Sequence, residues 1–268
     1  MKFYCCLFII LVAAKGFGQE LFVFTEPASN MPAKSIGLRL TNTFMQETST
    51  DKINYHLLPE LMWGVNKNLM LHLEGFVSNR NKNLEAEGAS FYGKYRFLSK
   101  DAIHSHFRAA AFGRASFNNS DIHQEEIETN GHNSGYEIGV IATQLLHKVA
   151  LSGSASLERA MDNGNGNKFP LQQSETAMNY TFSAGKLMLP KDYKDYKQVN
   201  LNLMAEFIAQ RLAGDGKYFV DFAPSVQFIF NSQTRIDLGY RKEVAGNMIR
   251  TAPNGFLIRI EHLLFNAF

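Results

Sequence analysis

Glu60, Met62, His72 and Glu74 are the residues of this chain whose types and spacing come nearest to chemistry. Carboxylate, imidazole and thioether groups are exchangeable ligands for a passing cation. Two runs carry them, Ile53-Val65 and Leu69-Val77, joined by the short connection Asn66-Asn68. Both runs alternate apolar and polar residues with period 2, the pattern of a half-buried strand. Pairing Val65 with Leu69 across that turn sets Glu60 opposite Glu74 and Met62 opposite His72. Facing carboxylates repel unless a cation or an arginine stands between them. Lys94, Arg96 and Arg108, on the strands that follow, are the expected counter-charges. The plainer alternative is a salt-bridge network that stiffens a narrow interior. No tight His, Cys or Asp spacing marks a metal site of fixed geometry, so no metal and no other cofactor is expected.

A second candidate is Gly131-His132-Asn133-Ser134-Gly135, where His132 stands two residues before Ser134. An imidazole so placed can act as base for a serine nucleophile. The third, orienting residue cannot be identified, and a polar loop rich in Asn, Ser and His accounts for the run equally well. The expectation is a protein that is not an enzyme. The two cysteines, Cys5 and Cys6, both precede residue 18. They sit inside a leader with Lys2 at its head, an apolar core Leu7-Ala14, and small residues Gly16 and Gly18 before Gln19. This has the form of a secretory signal peptide, residues 1-18, cut after Gly18. The mature chain then has no disulfide, no thiolate ligand and no cysteine nucleophile. Losing Lys2 and Lys15 leaves 25 basic against 25 acidic residues, so nothing points to a nucleic-acid partner.

The elements that must position these groups are strands throughout. Period-2 segments are expected at Ile36-Phe44, Ile53-Val65, Leu69-Val77, Ala89-Leu98, His106-Phe117, Tyr136-Leu145, Val149-Met161, Ala177-Leu187, Val199-Gln210, Tyr218-Phe230, Arg235-Arg241 and from Phe256 onward. Connections alternate in length. Asn66-Asn68, His147-Lys148 and Asn231-Gln233 are short, while Gln46-Lys52, Asn79-Glu87, Asn118-Ser134, Asp162-Leu171, Ala213-Lys217 and Val244-Asn254 are long and polar. Pro190-Gln198 breaks that order. No apolar run after the leader is long enough to span a bilayer as a helix. A membrane protein without such runs must be a closed barrel, because lipid pairs no backbone group. The expected fold is therefore all-β: a transmembrane antiparallel up-and-down β-barrel of about twelve strands, residues 33-268, with both termini at the short-turn, periplasmic end. Residues 19-32 stand before it, in the periplasm or folded into the lumen.

If the apolar parity faces lipid, the other parity lines the lumen. The lumen-lining candidates are His56, Glu60, Met62, His72, Glu74, Lys94, Arg96, Arg108, Glu206, Asp221, Arg235, Asp237, Arg259 and Glu261. Ionised groups are tolerated in a wet lumen and costly in lipid. The chain ends on Phe268, which shares the parity of Phe256, Ile258 and Ile260. A terminal aromatic on an amphipathic last strand is similar to the signal that outer-membrane barrels present to their assembly machinery. The expected setting is the outer membrane of a Gram-negative cell, with its lipid and that machinery as partners.

Ser35-Ile36-Gly37-Leu38-Arg39, Gly64-Val65-Asn66-Lys67-Asn68-Leu69 and Tyr92-Gly93-Lys94-Tyr95-Arg96-Phe97 resemble segments of the phenol-degradation meta-pathway (MetA-pathway) transporter-like family of outer-membrane barrels. Gly16-Phe17-Gly18-Gln19 resembles the signal endings of Bacteroidetes envelope proteins. The resemblance implies a channel or transporter for a small solute or ion and carries over no functional residue. Two alternatives stand beside it. One is a non-transporting envelope scaffold or surface barrel acting through Asn118-Ser134. The other is an outer-membrane lipid hydrolase using His132 and Ser134, since outer-membrane phospholipase A is also a twelve-stranded barrel with a His-x-Ser pair.

Overall fold

A computed structural model of the chain describes residues 22-50, 52-80, 83-102, 105-191 and 197-268. The proposed leader, residues 1-18, lies outside the described residues. Twelve strands follow in order: β1 (Ser35–Gln46), β2 (Ile53–Gly64), β3 (Leu69–Ser78), β4 (Glu85–Ala102), β5 (Ser105–Asn118), β6 (Gly135–Leu146), β7 (Val149–Ala160), β8 (Thr176–Leu189), β9 (Asn200–Leu212), β10 (Tyr218–Phe230), β11 (Thr234–Gly246) and β12 (Asn254–Leu264). Each pairs antiparallel with its neighbours in sequence, and β12 closes on β1, as in Ile36 opposite Leu264 and Gln46 opposite Asn254. The fold is a closed, all-β, up-and-down barrel. Closure leaves no strand edge unpaired.

Alternation fixes which face is which. Leu38, Leu40, Phe91, Phe97, Ile138, Phe182, Phe256 and Ile260 point outward and are exposed, while Lys94, Glu206, Asp221 and Glu261 point inward and are 0–1% exposed. This is inside-out relative to a water-soluble domain, where buried charge is rare and broad apolar patches are covered. Tyr55 packs tilted against Phe44 at 5.2 Å and Tyr240 against Phe256 at 4.7 Å, on the outer wall towards the loop end. No described helix is long and apolar enough to cross a membrane.

The short hairpins sit together at one end. His147, Asn231 and Ser232 take positive φ there (54°, 53° and 55°), which lets two- and three-residue turns reverse the chain. The twist that such turns favour matches that of the strands.

Three expectations are corrected. β12 stops at Leu264, so Phe268 does not belong to the last strand. Asn266 adopts φ 52° and the Ala267 N–H donates to the Lys34 carbonyl (2.8 Å), which turns the last residues back towards the start of β1. The connection 119-134, expected as an outward loop, folds into the barrel instead. β4 and β11 also run further than expected, because bulges at Arg96/Leu98 and Val220/Asp221 let pairing continue past an irregularity.

Candidate functional site

The lumen is filled from both ends, by two layers. The layer nearest the short turns is the segment 22-34, which carries no regular structure. A non-strand backbone inside a barrel must find hydrogen-bond partners on the wall. Glu206 of β9 supplies most of them: its carboxylate accepts the N–H groups of Val23 (3.0 Å), Phe24 (3.0 Å) and Thr25 (2.9 Å), and the Thr25 hydroxyl (2.8 Å). The Ala28 N–H donates to Thr143 (2.9 Å). The Lys94 ammonium donates to the carbonyls of Pro27 (2.7 Å) and Ser29 (2.9 Å), and Arg108 donates to the Ser29 hydroxyl (2.8 Å). Met31 packs with Met62, Met70, Tyr92 and Leu263. Phe24 lies so close to β11 that a Cβ at Gly239 would stand 2.5 Å from its ring.

The layer at the loop end is the inward connection between β5 and β6. Gln210 of β9 receives it as a strand would: its amide oxygen accepts the Ile127 N–H (2.9 Å) and its amide nitrogen donates to the Ile127 carbonyl (2.7 Å). Ile127 itself is 1% exposed, packed among Ala160, Phe169, Leu212 and Phe219. Glu158 accepts from Thr129 N–H (2.6 Å) and hydroxyl (2.7 Å). The strongest clamp is ionic. Arg250, from the β11–β12 connection, donates to both carboxylate oxygens of Asp221 (2.7 and 2.9 Å) and both of Glu126 (2.7 and 3.2 Å). Arg241 adds Asp221 (2.5 Å) and Glu126 (3.1 Å), and the Arg250 guanidinium stacks 3.8 Å above the Phe219 ring. His132 stacks on His56 of β2, 4.9 Å between centroids and 14° from parallel.

Burial and the charges of Arg80, Arg241 and Arg250 hold the His132 imidazole well below its ordinary pKa. Glu128, half-buried, lines the cavity 3.5 Å from His132. Burial inside the barrel, with the neighbouring Glu126 charge, pushes the Glu128 carboxyl up to about 7.

Between the layers lies a cavity of about 340 Å³, lined by charges of both signs. Arg39 of β1 is its hub, bonded to Glu26 (2.9 Å), Glu60 (3.1 Å) and Glu261 (2.7 Å). Arg114 of β5 holds Glu74 (2.7 Å), Arg235 pairs with Glu261, and Arg259 donates to Thr41 (3.0 Å) with Asp237 at 4.0 Å.

Glu60 stands opposite Glu74 and Met62 opposite His72, in the register that the turn spacing gives. The counter-charges differ from those expected. Lys94 and Arg108 are taken up by the N-terminal segment, and Arg96 donates to the Lys67 carbonyl (2.6 Å) at the turn end. Arg39 and Arg114 reach Glu60 and Glu74 instead. Met62 packs in an apolar cluster with Met31, Met70, Tyr92 and Leu263. His56, Glu206, Asp221, Arg235, Asp237 and Glu261 are buried within the barrel, each 9% exposed or less.

His132 and Ser134 are not brought together. The Ser134 hydroxyl donates to the Asn118 carbonyl (3.1 Å) and accepts the Asn118 N–H (2.9 Å). The His132 ring meets Gln124 (3.0 Å), Glu128 and His56. That serine is a loop fastener, with no base on its hydroxyl.

Arg39, Glu26, Glu126 and Arg250 are central groups that do not stand among the expected lumen-lining residues. Arg39 was detectable, as the one charge of β1 on the parity opposite Leu38 and Leu40. The other three lie outside strands, where no period applies.

No family model matches the chain, and no curated protein matches it. Among solved structures it is similar to the NanC porin, 10% identical over 85% of this chain and 98% of that one, with a TM-score of 0.53. It is also similar to an outer membrane channel from Pseudomonas putida F1, 11% identical over 90% of this chain and 99% of that one, with a TM-score of 0.54. At these identities the likeness is one of fold.

Proposed function

We propose that this protein is an outer-membrane channel that admits small polar solutes or ions through a lumen narrowed from both ends. The observation that carries this is the charged cavity of about 340 Å³ inside a closed barrel whose outer wall is apolar. A space of that size matches the lower end of small-molecule pockets. Mixed fixed charges let a hydrated or zwitterionic solute exchange contacts as it moves, without a deep well. Both fold neighbours are described as porin or channel, and the resemblance to meta-pathway transporter-like barrels points the same way. In this setting the short turns face the periplasm and the long connections face outward.

Liposome swelling with solutes of graded size is the test. Small sugars and amino acids should enter faster than in protein-free vesicles, with a cut-off at solutes that overfill the cavity. Entry no faster than in protein-free vesicles, for every solute, would overturn the channel. In bilayers, replacing Glu60 and Glu74 by Gln should shift the reversal potential towards anion preference.

A non-transporting scaffold has one specific observation in its favour: the Glu206 cradle and the Arg250 clamp fix both fillings of the lumen. That reading requires the barrel to stay silent even when both are released.

A further inference from the structure

We propose that Glu60, His72 and Glu74 form a binding site for one divalent transition-metal ion on the β2–β3 wall of the cavity. The register places the two carboxylates opposite each other, and His72 two residues from Glu74 on the same inward face. The ligand atoms lie within 4.8 Å of one another, with His72 Nδ1 3.5 Å from Glu60 Oε2 and 3.8 Å from Glu74 Oε1. An ion about 2.0–2.2 Å from each donor fits the two separations from His72.

Glu74 turns an unengaged oxygen towards His72, Oε1 at 3.8 Å from Nδ1. Glu74 gives Oε2 to Arg114 and to the Ser90 hydroxyl, so Oε1 accepts no hydrogen bond. Glu60 Oε2, the oxygen 3.5 Å from His72 Nδ1, also accepts from Arg39, which the ion displaces. Independently, the same wall concentrates unsatisfied polar atoms. His72 and Tyr92 are 1% and 2% exposed, and His72 Nε2, Tyr92 Oη and Arg114 Nε all lack hydrogen-bond partners. Tyr92 faces His72 in register and its ring centre is 5.0 Å away. Buried polar atoms without partners are rare and call for a missing water, ion or ligand.

The arginines do not bar the site. Arg39 keeps Glu26 and Glu261 when it releases Glu60. Arg114 faces Glu137 in register across β5 and β6 and can turn to it from Glu74. One imidazole with two carboxylates suits zinc, cobalt or manganese over magnesium or calcium, which take nearly all-oxygen shells. The cavity side leaves room for a water as a further ligand. The site stands whether or not the barrel conducts.

The test is titration of chelator-stripped barrel in detergent with Co²⁺, followed by its visible absorption, then displacement by Zn²⁺. One Co²⁺ per barrel, displaced by Zn²⁺ and not by Mg²⁺, is expected. His72→Asn and Glu74→Gln should each abolish stoichiometric binding, with circular dichroism and heat-resistant gel mobility confirming the barrel. Should either fail to fold, Glu137→Gln serves: it strands Arg114 on Glu74 and should weaken Co²⁺ by about 10-fold or more. Absence of stoichiometric Co²⁺, or binding unchanged by the variant that folds, would overturn the site.

Discussion

Arg250 holds the inward loop more tightly than any other single side chain. It bridges Asp221 on the wall to Glu126 on the loop with four hydrogen bonds. Arg250→Ala leaves two buried carboxylates to Arg241 alone. Breaking one side of a buried pair costs about 3–5 kcal/mol, and the remaining arginine puts this case at the lower end. The expected outcome is a loop 119-134 that proteases cut at the surface while the barrel stays intact on a gel. An uncut loop would show that Gln210 and Glu158 suffice. Protonation at the same loop has opposing signs. A seated Glu128 holds a proton up to about 7, where a released one loses it near 4.5, so seating favours proton uptake between these values. A seated His132 resists the proton that a released one takes below 6.5. Between about pH 4.5 and 6.5 the two cancel, and below that the loop loosens. Glu128→Gln isolates the histidine, so loop protection should then fall as pH drops through 6.5. His132→Asn isolates the carboxyl, so protection should rise as pH falls from about 7 to 4.5. Hydrogen exchange of the loop amides against pH reads both.

At the scale of elements, the N-terminal segment is a guest in a lumen shaped to take it. Glu206 cradles three consecutive backbone N–H groups, and charge-assisted bonds of this kind contribute about 1.5–3 kcal/mol each. Glu206→Gln weakens all of them together. Gly239→Leu acts by volume, because its side chain needs the space of the Phe24 ring. Both variants should expose residues 22-30 to protease and leave the twelve-stranded wall unchanged, and protection equal to the parent would contradict the packing. The strands themselves were legible because alternation and turn length follow from local chemistry: a half-buried ribbon has period 2, and tight turns need residues that accept positive φ. The register of Glu60 with Glu74 was legible for the same reason, since one short turn fixes it. The guests were not. Segment 22-34 and loop 119-134 have no repeating pattern, and their places depend on lone partners such as Glu206, Gln210 and Arg250 that meet them only after closure. Reassigning Lys94 and Arg108 from Glu60 and Glu74 to the N-terminal backbone is a direct result.

Over the whole molecule, an apolar outside and a charged inside require a low-dielectric solvent around the wall and water only within. The barrel should therefore be recovered folded in detergent or lipid and aggregate without either. The two fillings set how wide the water path is, and they sit at opposite ends of the same lumen with the cavity between them. Conduction should then depend on both and not on strand register. Single-channel recording tests this most directly, comparing the parent barrel with one that carries Glu206→Gln and Arg250→Ala together. The account predicts small, interrupted currents from the parent and a several-fold larger, steady conductance from the double variant. A double variant that is folded, inserted and electrically silent would contradict it.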